Sequence, residues 1–397
     1  MRPTLQNQNY RTRIVSSLSE PGQPAWDALV QSQHEANPFL SFAFLHAMHE
    51  SGSASQASGW QPQFLTIWQD EALVAAMPLY AKFHSYGEYV FDWAWADAYQ
   101  RSGLAYYPKL LSAIPFTPVT GGRLMARDAA ARAALVKALQ SLQETNGLSS
   151  THVLYPPKEQ ATLLEEAGFL LRCGVQFHWE NAGYDNFDQF LSTLEQKKRK
   201  NIRAERRKVF DAGIRFRQIR GKEMTEGDWH FFKCCYDQTY RAHCSTPYLN
   251  QDFFFRIGES MPENILLVVA ERDGQPIASS LLIHDTHTLY GRYWGAIEQH
   301  ACLHFETAYY QPLEFCIAEG IRYFEGGAQG EHKMARGFLP EQTWSAHWLA
   351  HTGFADAVER FLEREGAGMT SYIDELNDRN PFRRNSNPAA GVTSGQQ

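Results

Sequence analysis

Apolar positions along this chain follow two rhythms, one helical and one strand-like, and the two alternate. Residues 26–33 and 41–51 carry apolar side chains at helical spacing, and Ser41 stands where an N-cap belongs. Residues 64–68 and 73–82 are apolar runs that flank Gln69, Asp70 and Glu71, a pattern that predicts a hairpin. The aromatic stretch 89–95 predicts a further strand. After the loop PFTPVTGG (115–122) come a predicted helix (128–145), a strand (151–155), a second helix (158–167) and a last strand (169–179).

The second half repeats this order. Residues 64–80 match 267–283 in pattern, and Asp273-Gly274 is a strong hairpin-turn signal. Residues 89–96 match 289–296, and the helix ending near Gly147 matches one ending at Gly320. The motif GFL followed by HW occurs twice, at 168–170 with 178–179 and at 337–339 with 347–348, an offset of 169 residues at both ends. Matches in one order point to duplication. Each unit then reads as mixed α/β, with a partly antiparallel sheet and a crossover helix near its centre. The junction is expected near 181–184, which gives domains 1–183 and 184–380. The polar tail 381–397 is expected to be disordered.

Reactive side chains concentrate in 288–348. This segment reads as a strand (288–296), a loop, a helix (303–319), a strand (321–325) and a glycine-rich loop. Pro312 removes a backbone donor in mid-helix, so a kink or two helical pieces are expected there. Glycines after a strand let a ligand approach the backbone, and EHKMAR then supplies acid, imidazole and cations. Glu306 is the candidate general base, Tyr309 or Tyr310 the candidate acid, and His332 a candidate proton carrier. His304, Glu331, Lys333 and Arg336 are candidate substrate contacts, joined by Arg292 and Trp294 on the preceding strand. A strand-helix-strand crossover returns the second loop to the edge where the helix begins, so the helix start and the EHK loop are expected to flank one cleft. The first unit has HVLYPPKEQ at the matching place and is expected to be catalytically silent.

A chain of 397 residues with 44% hydrophobic and 20% charged residues fits two globular domains. A net charge of −7 excludes generic nucleic-acid binding, so any polyanion contact must be local. One candidate exists. Residues 195–208 hold eight Lys/Arg on an amphipathic helix, with Lys200, Arg203 and Arg207 sharing a face suited to tRNA, CoA or anionic lipid. The six cysteines have no framework spacing and no His/Cys ligand pairs recur, so reduced thiols and no metal are expected. No signal peptide or membrane span is expected, and the cytoplasm is the expected location. Walker, GxSxG and Rossmann patterns do not occur.

The duplicated order of hairpin, strand, helix and strand resembles tandem GNAT-type (Gcn5-related N-acetyltransferase) domains, arranged as in Fem-type peptidyl transferases. HFETAYYQPLEFCI, GAQGEHKMARGF and SAHW are similar to a bacterial family of GNAT-like proteins of peptidoglycan biosynthesis or recognition. The resemblance spans nearly the whole chain. It implies an acyltransferase that moves an acyl group, acetyl being the expected one, directly to the amine of a small molecule or peptide. GNAT enzymes seat the pyrophosphate of acyl-CoA on a glycine-containing loop at the start of the central helix. Here that loop, 295–306, lacks those glycines, whereas Gly121-Gly122 precede the helix of the first unit. Acetyl-CoA is one implied donor and aminoacyl-tRNA, used by Fem-type enzymes, the other. A non-catalytic module for cell-wall precursors or peptides is the rival outside enzymology.

Overall fold

The computed structural model describes residues 9–328 and 330–383. The chain forms two compact units, and neither is one continuous segment. The first is Met1–Gly174 with Gln342–Thr370, and the second is Val175–Glu341 with Ser371–Gln397. The chain thus changes unit inside two strands and one helix, where the sequence pattern placed one junction near 181–184.

In the first unit, β1 (Tyr10–Val15) precedes helices α1 (Gln23–Gln31) and α2 (Phe42–Glu50). Ser41 caps α2 by accepting from the Phe44 amide. Next come β2 (Trp60–Pro62), β3 (Phe64–Gln69), β4 (Ala72–Met77) and β5 (Leu79–Lys82). The stretch read as an aromatic strand at 89–95 is instead a loop and helix α3 (Trp93–Arg101). Trp95 and Tyr99, four residues apart, turn one face inward, so a helical period underlies a composition typical of strands. The unit continues with β6 (Lys109–Ser112), β7 (Met125–Ala126), α4 (Ala129–Asn146), β8 (Ser150–Leu154), α5 (Lys158–Glu166) and the start of β9 (Leu170–Glu180). One sheet runs β1-β3-β4-β7, and β8-β6-β5-β2 form another. Leu65, Val74, Leu135, Leu139 and Val153 pack in its core.

The second unit starts within β9 and adds α6 (Phe187–Thr193), α7 (Gln196–Asp211), β10 (Ile214–Arg220), α8 (Glu226–Ala242) and α9 (Gln251–Ser260). Strands β11 (Ile265–Arg272) and β12 (Gln275–His284) form the predicted hairpin. Asp273 and Gly274 sit at φ 53° and 75°, the left-handed pair that a two-residue hairpin turn requires. Strand β13 (Thr288–Ala296) then leads to α10 (Leu303–Phe305), a π-helical turn (Glu306–Tyr310) and α11 (Gln311–Glu319). Pro312 has no N–H to continue the α ladder, and the widened turn directly before it is how the helix adjusts. Strand β14 (Tyr323–Glu325), β15 (Leu339–Leu349) and α12 (Thr352–Asp378) follow, the last two passing between units. The sheet order is β10-β11-β12-β13-β14-β9, antiparallel except for the β13–β14 pair. Trp179, Phe190, Tyr310, Leu313, Phe324 and Phe338 fill the core beneath it.

Parts of the repeat survive in three dimensions. Helices α4 and α11 both end on a left-handed glycine, Gly147 and Gly320. Strands β9 and β15 begin and end 169 residues apart, with 11 residues each. Residues 381–383, the start of the tail expected to be disordered, are ordered. Phe382 is buried and bridges to Leu194, and Arg383 donates its amide to Thr193. The rest of that tail lies outside the described residues. Among the described residues no helix is long and apolar enough to cross a membrane, and no group of three or more His, Cys, Asp or Glu could hold a metal ion.

Candidate active site

The parallel pairing in the second unit is short. Thr288, Leu289 and Tyr290 of β13 face Tyr323, Phe324 and Glu325 of β14, and there the register ends. Strand β13 runs on through a bulge, since Leu281 and Leu282 face Tyr293 and Gly291 and leave Arg292 extra. The β14 segment stays with β9, where the Gly326 amide reaches the Phe177 carbonyl. The carboxyl ends of two parallel strands therefore open beside Gly326 and Gly327, the place where α/β sheets receive ligands.

The helix start and the EHK loop meet there. Tyr309 Oη lies 3.2 Å from His332 Nε2, which joins the π turn to the loop. The His304 ring packs against Trp294 at 4.9 Å, Tyr309 at 5.4 Å and His332 at 6.4 Å between centroids. Burial pushes His304 down to about 4, helped by His332, Arg336 and Lys333. His332 is lowered too, first by burial and then by Arg336 and Lys333, while burial raises Tyr309 to about 12. At neutral pH the cluster thus holds a neutral His304 imidazole and an intact phenol.

Lys333 and Arg336 stand behind that cluster. Lys333 is 2% exposed, its Nζ donates to the Gly327 carbonyl at 2.9 Å, and burial lowers it to about 7. A cation with so little to balance it is poised to meet negative charge. Gly326 leaves room for it, since a Cβ there would lie 3.1 Å from Lys333 Cδ. Arg336 is also buried. It stacks over Phe305 at 3.4 Å and donates to the His332 carbonyl and to Glu205.

Four other predicted residues have different surroundings. Glu306 is fully buried, and Arg206 of α7 holds its carboxylate through Nε and Nη2, with Gln311 adding a third donor. A carboxylate so enclosed braces the helix, a different place from the open cleft expected of a base. Burial raises its pKa while Arg206 opposes. Tyr310 donates to Glu205 in the core. Glu331 is exposed and turned to Tyr372 and Arg379 at 2.6 and 3.0 Å, away from His332. Arg292, half-buried at the bulge, acts on Glu325.

On α7, Lys200, Arg203 and Arg207 are exposed as the pattern requires, although Arg203 pairs with Asp188 at 2.9 Å. Arg203, Arg206 and Arg207 line a cleft of about 400 Å³ with Phe187 and Phe210. Sequence reasoning missed Glu205, Arg206, Glu325 and His178. A signal existed for one of them: Glu205 is the lone acid inside the basic run, and it is the group that Tyr310 and Arg336 share.

This arrangement, a mixed sheet with a broken helix crossing between its parallel strands, is a Fem-type transferase fold. The FemX crystal structure matches it with a TM-score of 0.56 at 10% identity, covering 88% of this chain and 100% of that one. L-PGS from Bacillus licheniformis matches at 0.53 and 11% identity over 89% and 99%. The C-terminal domain of a putative lysylphosphatidylglycerol synthetase from Agrobacterium fabrum matches at 0.52 and 10% over 86% and 96%. The chain belongs to the FemAB-like family, whose description is peptidoglycan biosynthesis/recognition and whose model matches residues 17–384. No curated protein matches the sequence.

Proposed function

We propose that the protein is an acyltransferase that passes an aminoacyl group from aminoacyl-tRNA to the amine of a peptidoglycan-type precursor, in the cytoplasm. The reading assigns the chemistry to the repeat at 184–380 and treats 1–183 as its catalytically silent counterpart. The observation that carries it is the Tyr309–His332 contact beside Lys333, at the carboxyl ends of β13 and β14. Aminolysis of an ester places negative charge on the carbonyl oxygen and needs a proton for the leaving oxygen. Lys333 suits the first role, and Tyr309, backed by His332, suits the second.

Two observations favour tRNA over acetyl-CoA as donor. No glycine separates Ala296 from Leu303, and the helix that follows opens with three α residues and a π turn, a poor cradle for pyrophosphate. The exposed cations of α7 suit an extended polyanion. In the test, full-length protein is incubated with a muramoyl pentapeptide precursor and either tRNA charged with ¹⁴C-amino acids or ¹⁴C-acetyl-CoA. Label should pass from charged tRNA to the precursor, and Tyr309→Phe and His332→Ala should each slow it. Transfer from acetyl-CoA alone would replace the donor. Transfer from neither would overturn the reading.

A further inference from the structure

Glu325 ends β14 at the point where β13 stops pairing with it. Successive strand residues face opposite ways, and Phe324 points into the core with Trp179 and Leu289. Glu325 therefore takes the other face of the sheet, shared with Tyr290 and His178, its direct partners across the two ladders. Its Oε2 is buried, and among the described residues no donor reaches it. A buried carboxylate oxygen without a donor is costly, so it marks either a strained spot or the partner of something that arrives.

We propose that Glu325 receives the acceptor substrate as a primary ammonium ion, binds it through Oε2 and takes its first proton. The inference rests on the acyl-transfer reading and deepens it by naming the acceptor's charge and its side of entry. The groups around Glu325 suit this. Arg292 of β13 lowers its carboxyl, while Asp285 and Glu341 raise it, and burial outweighs them all and brings it to about 8. His178 of β9 is kept neutral by burial and by Lys333, at about 4, and Tyr290 stays an intact phenol. Tyr290 and His178 thus present no charge to an ammonium ion, and Arg292 is the cation that acts on Glu325 itself. Tyr309 and Phe338 pack together with Phe324 on the opposite face, which leaves the two sides of the β13–β14 opening to two different reactants.

The step balances. R–NH₃⁺ gives one proton to the Glu325 carboxylate and becomes R–NH₂. Its nitrogen lone pair forms the C–N bond at the acyl carbon, and the C–O bond to the donor breaks. The second nitrogen proton replaces the one that Tyr309 gives to the leaving oxygen. No oxidant or further reactant is required.

The test follows the Glu325 side-chain carboxyl by ¹³C NMR in the full-length protein, assigned by its loss in Glu325→Gln, from pH 5 to 10. The probe is n-butylammonium, with n-butanol as the uncharged control. The free carboxyl should titrate near 8, and saturating n-butylammonium should lower that midpoint by about one unit or more, because a bound cation favours the carboxylate. Butanol should leave it unchanged. Glu325→Asp, which keeps the charge, should retain weakened n-butylammonium binding, whereas Glu325→Gln should lose at least about tenfold in affinity. An ordinary carboxylate midpoint, no response to the amine, or equal binding by Glu325→Gln would overturn the proposal. Ammonium binding at Glu325 without acyl transfer would keep this site and remove the transferase reading. Transfer undiminished in Glu325→Gln would do the reverse.

Discussion

The first unit of this protein buries Lys82 and Lys109 and the second buries Lys333, and Lys109 and Lys333 are treated in opposite ways. In the first unit Lys109 is fully buried, and its three N–H groups go to Ser85, Glu88 and Asp92. Asp92 also takes the Tyr106 hydroxyl, which contacts His152, and His152 in turn meets His347. The carboxylates outweigh burial, so Lys109 is raised and remains a cation. In the second unit Lys333 has the Gly327 carbonyl and, among the described residues, no carboxylate partner, and burial lowers it to about 7. A buried charge whose donors are all matched is part of the scaffold. One that is left short is held for a ligand. Lys109 thus sits in a dense polar network, whereas Lys333, like Lys82 of the first unit, is lowered to about 7 by burial.

The largest effect should come from breaking the matched lysine. Lys109→Met leaves Asp92 buried without its lysine and Glu88 with only Lys82 at 3.9 Å, and should cost about 3–5 kcal/mol, read as a lower urea midpoint. A loss below about 1 kcal/mol would erase the contrast. Lys333→Met should instead fold at near wild-type stability at pH 7 and lose about 100-fold in acyl transfer, the scale of losing one oxyanion partner. Equal activity would return Lys333 to the scaffold.

Glu306→Gln sharpens the same distinction. It leaves Arg206 with Glu314 alone at 2.7 Å, and should cost about 1–3 kcal/mol in stability. A full loss of turnover in a protein of unchanged stability would instead restore Glu306 as the base. Lys333 also predicts a pH signature. Its folded pKa lies below its unfolded value, so the unfolded chain binds more protons between about pH 7 and 10.5, and stability should rise with pH across that window. The difference between wild type and Lys333→Met, measured by urea unfolding at pH 7 and 9, should therefore shift in favour of wild type at the higher pH. The smallest change concerns exposed cations. Neutralising Lys200, Arg203 and Arg207 together should leave stability within about 0.5 kcal/mol while weakening tRNA binding and flattening its salt dependence.

Much of this architecture was legible from local pattern. The β11–β12 turn follows from Asp273-Gly274, the end of α11 from Gly320, and the break in the crossover helix from Pro312, because each depends on backbone geometry that a residue type imposes by itself. Helix α3 was misread because aromatic composition hides a helical period when the segment is short. The site was legible in part. Tyr309, His304, His332 and Lys333 converge as the crossover topology requires, while Glu306 and Glu331 do not.

The sequence alone determined most of the elements and the order in which they recur, since those rest on periodicity and on glycine and proline. Only the tertiary structure decided which ionisable groups are matched. Arg206 reaches Glu306 across 100 residues and Glu88 reaches Lys109 across 21, and no local pattern records such pairings. Whether a buried charge is a brace or a reagent depends on the groups that other elements bring to it and on how much water they exclude, and for Lys333 and Glu325 those are set by where β13 leaves β14.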